Sequence, residues 1–165
     1  MGVVEAVFIA SRGSAPMERV EEVRAVVGGL QGDRYLLRTG YWTSVDECQV
    51  TMIEAEALDD IEASGAVSVS DGQHRRNIVT RGVTLRDLAG TRFRVGDALM
   101  EFDRPRPPCR YIESLTEPGM TRALAARRGG ICVRVVEEGL VRVGDAIEVV
   151  GDAEPRSMTH RLLRK

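Results

Sequence analysis

The residues best suited to chemistry lie between Arg75 and Arg110. Nine arginines face four acids (Asp87, Asp97, Glu101, Asp103) there, an excess of five positive charges in a chain whose formal charge is -2. Such a surplus suits an anionic ligand, although alternating Arg also keeps an exposed strand soluble. Within this stretch runs Pro105-Arg106-Pro107-Pro108-Cys109-Arg110-Tyr111. Prolines cannot continue a strand interior, and they commonly precede a helix. Cys109 then falls at the first turn of a helix expected over Cys109 to Leu115. The helix dipole and the flanking Arg106 and Arg110 favour its thiolate, the form that binds a soft metal or carries transferable sulfur. Cys132, inside Ile131-Cys132-Val133, reads instead as a small buried hydrophobe, and Cys48 carries only that same expectation.

The elements that must position Cys109 read mostly as strands. Val3 to Ile9 is rich in β-branched residues and closes at Ser11-Arg12-Gly13-Ser14. Met17 to Val27 has ambiguous spacing, but its valines favour a strand. Gln49 to Ile53 is a short strand leading into a helix over Glu54 to Ala63, with Ile53, Ala57 and Ile61 on one face and a stop at Gly65. Val67 to Ser70, Arg76 to Thr80 and Ile131 to Val136 are further expected strands. Thr84 caps one helical turn, Leu85 to Leu88, and Met120 to Arg127 has helical spacing up to Gly129-Gly130. The pentapeptide Arg94-Val95-Gly96-Asp97-Ala98 recurs as Arg142-Val143-Gly144-Asp145-Ala146. Gly-Asp between apolar runs is a tight-turn signature, so Thr91 to Phe102 and Leu140 to Val150 are expected β-hairpins. Many short strands with few helices predict a mainly β fold, a β-barrel with helical decorations. The expected domain spans 1–150, followed by a tail over 151–165 with a short helix after Met158.

Composition excludes several classes. With 43% apolar and 29% charged residues in 165, the chain suits one compact domain and not a disordered one. Its balanced charge argues against a nucleic-acid partner. Of 23 basic residues 22 are Arg, the exception being Lys165. Codon bias accounts for most of that skew, while a site wanting planar, permanently charged donors would use it. No apolar stretch approaches the ~20 residues that cross a bilayer, and no signal peptide opens the chain. Three widely spaced cysteines do not resemble a disulfide framework, so reduced thiols in a soluble cytoplasmic protein are expected. Two histidines and no close Cys pair make structural zinc and iron–sulfur ligation unsuitable. Neither a P-loop, a strand-linked G-x-G-x-x-G nor a nucleophile elbow is present.

Five segments in order resemble one family, the stand-alone bacterial MOSC domain, named after the C-terminal part of molybdenum-cofactor sulfurase. They are Gly32-Asp33-Arg34-Tyr35, Arg76-Asn77-Ile78-Val79-Thr80-Arg81, Leu88-Ala89-Gly90 with Val95-Gly96-Asp97, Pro108-Cys109, and Arg128-Gly129-Gly130 with the second Val-Gly-Asp. The resemblance implies a closed β-barrel of the pyruvate-kinase-inserted type. It also implies bound molybdenum cofactor (molybdopterin), with Cys109 as the molybdenum ligand and catalytic residue. Arg76 and Arg81 would pair with the cofactor phosphate, Asn77 and Thr80 with the pterin, and Gly129-Gly130 would admit the ligand close to the backbone. Asp33 and Arg34 read as a structural ion pair or turn. Relatives of this kind reduce N-hydroxylated small molecules and draw electrons from a separate reductase. Others carry sulfur, which here would be a persulfide on Cys109 supplied by a cysteine desulfurase. A third alternative is a non-catalytic cofactor-binding module. Pyridoxal phosphate is not expected, since this chain contains no desulfurase region.

Overall fold

The computed structural model describes residues 2–41 and 47–154. Its strands are β1 (Gly2–Ile9), β2 (Glu18–Val20), β3 (Glu22–Val26), β4 (Gly29–Leu30), β5 (Val50–Glu54), β6 (Ile78–Arg81), β7 (Thr91–Val95), β8 (Ala98–Pro105), β9 (Ile131–Glu137), β10 (Gly139–Arg142) and β11 (Ala146–Asp152). Four short helices decorate them: α1 (Arg34–Leu37), α2 (Ala55–Ser64), α3 (Arg110–Leu115) and α4 (Met120–Ala123), with a 3₁₀ turn at Leu85–Leu88.

Seven strands close into a barrel in the order β11-β7-β8-β9-β5-β6-β1, and β1 pairs back to β11. The protein is therefore mainly β, a closed barrel, as its turn-rich sequence predicts. β1 makes closure feasible by dividing one edge: Gly2 and Val3 pair with β11, while Val7 to Ile9 pair with β2. A bulge at Glu5 then resets its pleat. Val4 opposes Thr80 and Ala6 opposes Val79, leaving Glu5 as the extra residue. Val4 and Val7 consequently enter the barrel interior with Met52, Ile78, Phe93 and Met100. Ala6 and Phe8 face outward, onto a second apolar cluster with Ile53, Leu58, Ile61, Val79 and Met120.

Several sequence expectations are corrected. The face of α2 that packs on the barrel is Ala55, Leu58 and Ile61, and Ala57 is only half-buried. Val67 to Ser70 is not a strand, because the Glu62 carboxylate accepts from the Val69 and Ser70 N–H groups and removes them from any ladder. Leu140 to Val150 is not a hairpin either. β10 pairs with β3 in a separate three-stranded sheet, β10-β3-β4, while β11 joins the barrel between β7 and β1. Helical spacing over Met120 to Arg127 yields helix only to Ala123, since Ala126 and Arg127 take left-handed backbone, φ 56° and 71°.

The thiol assignment is also corrected. Cys48 and Cys132 form a disulfide, with Cα atoms 5.8 Å apart. Antiparallel pairing of β5 with β9 sets Thr51 opposite Cys132, which brings the lead-in to β5, carrying Cys48, beside β9. Both cysteines are buried against Tyr35. The short helix expected after Met158 lies outside the described residues. Among the described residues, no helix is long and apolar enough to cross a membrane.

Candidate functional site

Cys109 sits where β8 gives way to α3. Pro107 and Pro108 carry the chain out of the sheet, and Cys109, still extended at φ -129°, is the residue immediately before the helix. Its carbonyl accepts from Ile112 N at 3.2 Å and Thr121 Oγ1 at 3.0 Å, which fixes the backbone and leaves the thiol exposed. The thiol borders a cavity of about 310 Å³, whose other walls include Arg34, Tyr35, Arg75, Arg76, Arg106 and Tyr111. Among the described residues five arginines, the fifth being Arg104, line it, and no carboxylate does.

Each guanidinium is held from behind. Arg76 donates from Nε to Gly129 O at 2.7 Å and from Nη2 to Arg106 O at 3.2 Å. Burial lowers its pKa to about 10; Tyr35 and Cys109 raise it, and Arg106 and Arg34 lower it, so it stays protonated near neutrality. Arg75, in left-handed backbone at φ 61°, reaches Ala15 O and Gly13 O at 2.7 and 2.8 Å. Its pKa also falls to about 10, chiefly through burial and then repulsion from Arg34. Arg106 donates to the Tyr35 hydroxyl at 3.0 Å, and Arg34 lies 4.5 Å over the Tyr35 ring. At the rim Tyr111 stacks on Tyr41, with ring centroids 4.0 Å apart. The cavity is thus cationic, flanked by aromatic rings and carries one exposed sulfur nucleophile.

Of the expected catalytic and cofactor-binding residues, Cys109 and Arg76 meet here. Asn77, Thr80, Arg81, Gly129 and Gly130 do not. Asn77 is fully buried, donating to Phe8 O and Asp33 Oδ1 and accepting from Thr51 N and Oγ1, all at 3.1 Å. Its amide is consumed inside the barrel wall and does not line the cavity beside Cys109. Thr80 is likewise buried and donates to Ile53 O. Arg81 lies on the outer surface, bonded to Glu5 and Asp59. Gly129 and Gly130 line a neighbouring cavity, and the close approach they permit is to the protein's own backbone. A Cβ on Gly129 would meet Arg106 O, and one on Gly130 would meet Met52 O.

Asp33 and Arg34 form the buried pair expected, 3.0 Å apart, and Asp33 also caps α1 through Tyr35 N. Arg34 nevertheless lines the cavity as well. Arg75 enters in the sequence as one of the nine arginines suited to an anion, whereas Tyr35 and Tyr41 carry no signal there as site residues. Tyr35 and Tyr41 lie some seventy residues before Cys109, and only the fold joins them.

Solved structures with the same fold include YuaD from Bacillus subtilis, at 20% identity over 93% of this chain and 98% of that one, TM-score 0.71. YiiM from Geobacillus stearothermophilus is 17% identical over 91% of this chain and 75% of its own, TM-score 0.68. YiiM from Escherichia coli is 19% identical over 94% and 72%, also with TM-score 0.68. No curated protein matches the chain. The MOSC domain model matches residues 39–148, two thirds of the sequence, and the chain belongs to the MOSC domain family.

Proposed function

We propose that this MOSC protein binds the molybdenum cofactor, with Cys109 as metal ligand, and acts as the substrate-reducing component for small N-hydroxylated molecules. One observation carries the reading: an exposed thiol borders a cavity lined, among the described residues, by five arginines and no carboxylate. The donor set fits the group. A soft sulfur suits molybdenum, and fixed guanidinium groups suit a phosphorylated, negatively charged cofactor. Cys109 would hold the metal, and Arg34, Arg75, Arg76 and Arg106 the anionic periphery. Asn77, Thr80 and Arg81 fall outside that set.

The cofactor, when bound, supplies two-electron chemistry that no amino-acid side chain provides. The protein's residues prepare the place. Prolines 107 and 108 hold Cys109 outside the sheet so that its sulfur is accessible. The guanidinium groups, already anchored to carbonyls, to the Asp33 carboxylate and to the Tyr35 hydroxyl, lower the cost of accumulating negative charge without reorganising. Tyr111 and Tyr41 offer a flat apolar surface against which a planar substrate would rest and water would be displaced. Electrons would come from a separate donor protein.

The experiment is metal analysis after expression in a host that makes the cofactor. Near-stoichiometric molybdenum, lost in Cys109→Ala, is the expected result. A molybdenum-free protein that gains the mass of one sulfur on Cys109 when given a cysteine desulfurase and cysteine would overturn this reading for the sulfur-carrier alternative. If neither metal nor sulfur is taken up, a non-catalytic module remains.

A further inference from the structure

A second cavity, of about 760 Å³, lies on the other side of the strip that carries Cys109. Pro105, Arg106 and Pro107 wall both cavities. Beyond them Cys109 turns to the first, while Pro108 and Arg110 turn to the second. The floor of the second is apolar, with Pro108, Leu124 and Ala125, and its rim carries Arg110, Arg122 and Arg127. These three side chains are exposed, and none makes a hydrogen bond or ion pair among the described residues. Most other arginines in the fold are committed: Arg81 to Glu5 and Asp59, Arg92 to Glu101, Arg142 to Glu22. The one carboxylate that lines the second cavity among the described residues, Glu113, accepts from Thr121 N at 3.0 Å.

The partition between the cavities is rigid. Buried Arg76 reaches across it to hold Gly129 O and Arg106 O, and Arg106 N donates to Gly130 O at 2.9 Å. The loop bearing Arg127 is therefore pinned at Gly129 and Gly130, with one residue between them and its left-handed Ala126 and Arg127. Uncommitted, permanently charged donors over an apolar floor match a ligand with an anionic end and an organic body. The volume falls within the range of roughly 300–1,000 Å³ typical of small-molecule sites, far more than a bare anion needs.

We propose that this second cavity binds the phosphate end of an organic ligand of nucleotide size. The site does not depend on the function proposed above, and binding measurements without turnover test it separately. Calorimetric titration of the molybdenum-free Cys109→Ser protein with AMP should show saturable binding that weakens as salt is raised. Adenosine should bind at least tenfold more weakly, and pyrophosphate should compete. The double variant Arg122→Gln, Arg127→Gln should lose AMP affinity at least tenfold with an unchanged melting temperature, because both side chains are exposed and neither makes a hydrogen bond or ion pair among the described residues. Cofactor-loaded wild-type protein should bind AMP as the unloaded protein does. Absence of AMP binding, equal affinity for adenosine, no effect of the double variant, or loss of binding on cofactor loading would each overturn the proposal. Failure to acquire molybdenum would leave these titrations unaffected and would count only against the metal reading.

Discussion

Breaking the Cys48–Cys132 bond gives a quantitative check on the fold. The bond closes a loop of 84 residues in sequence separation. In the chain-entropy model, closing a loop of that length removes about 15 cal/mol/K from the unfolded ensemble, or about 4.6 kcal/mol at 25 °C. Both cysteines are buried, at 2% and 0% exposure, so reduction leaves two small apolar thiols in the same place with little loss of contact. The whole effect then falls on the unfolded state. Urea unfolding followed by circular dichroism, with and without a dithiol reductant, reads it directly. With a denaturant slope of about 2 kcal/mol per molar, the midpoint should fall by about 2 M on reduction. The Cys48→Ala, Cys132→Ala pair should behave like the reduced protein, with a further small loss from the missing sulfur atoms. Coincident curves with and without reductant, together with alkylation of both thiols in the untreated folded protein, would refute the reasoning.

Two other expectations concern buried polar groups. His74 is buried edge-on to Phe8, accepts from Arg76 N at 2.9 Å, and burial followed by repulsion from Arg76 and Arg19 lowers its pKa to about 3. The unfolded chain protonates below about 6.5 and the folded one does not, so stability present above that pH is lost as pH falls towards 3, by about 3 kcal/mol at pH 4.5. His74→Asn, which keeps an acceptor, should flatten that part of the pH–stability profile; an unchanged slope would place the acid sensitivity elsewhere. Asn77→Ala leaves the partners of a buried amide unpaired and should cost about 3 kcal/mol, whereas Arg81→Ala should change neither melting temperature nor molybdenum content. A drop in metal content for folded Arg81→Ala would reinstate Arg81 as a ligand-binding residue.

The local alphabet of the barrel is readable in the sequence: β-branched runs become β1, β5, β6 and β9, and Pro-Pro-Cys marks the exit from the sheet. What escapes is which way a side chain points and which distant segment it meets. The motif Arg76 to Arg81 reads as one recognition segment, yet much of it is strand, whose successive side chains alternate between faces. Alternation sends Ile78 and Thr80 inward and Val79 and Arg81 outward, so the residues cannot all serve one cavity. Asn77 looks the same in a sequence whether its amide meets a ligand or a neighbouring strand; only Thr51 and Asp33, far away in the chain, decide. The disulfide was hidden for the same reason, since cysteine spacing carries no information about a pairing created by β5 lying against β9. The false hairpin at Leu140 shows a subtler failure. Its Gly-Asp turn is real, with Gly144 at φ 94°, but the strands it joins belong to different sheets.

That turn has a consequence for the order in which the chain can assemble. The two Arg-Val-Gly-Asp-Ala copies meet at the seam of the barrel: Gly96 N donates to Ala146 O at 3.1 Å, and Arg142 Nη1 reaches Asp97 Oδ2 at 3.4 Å. β11 completes the ring by pairing Ile147 with both Gly2 and Val95. During synthesis from the N-terminus, β1 and β7 must therefore wait with open edges until residues 146–152 leave the ribosome. Exposed strand edges invite pairing with other chains, and contacts so distant in sequence form slowly. The nascent protein is most vulnerable to aggregation in that interval, and the last strand of the ring ends it.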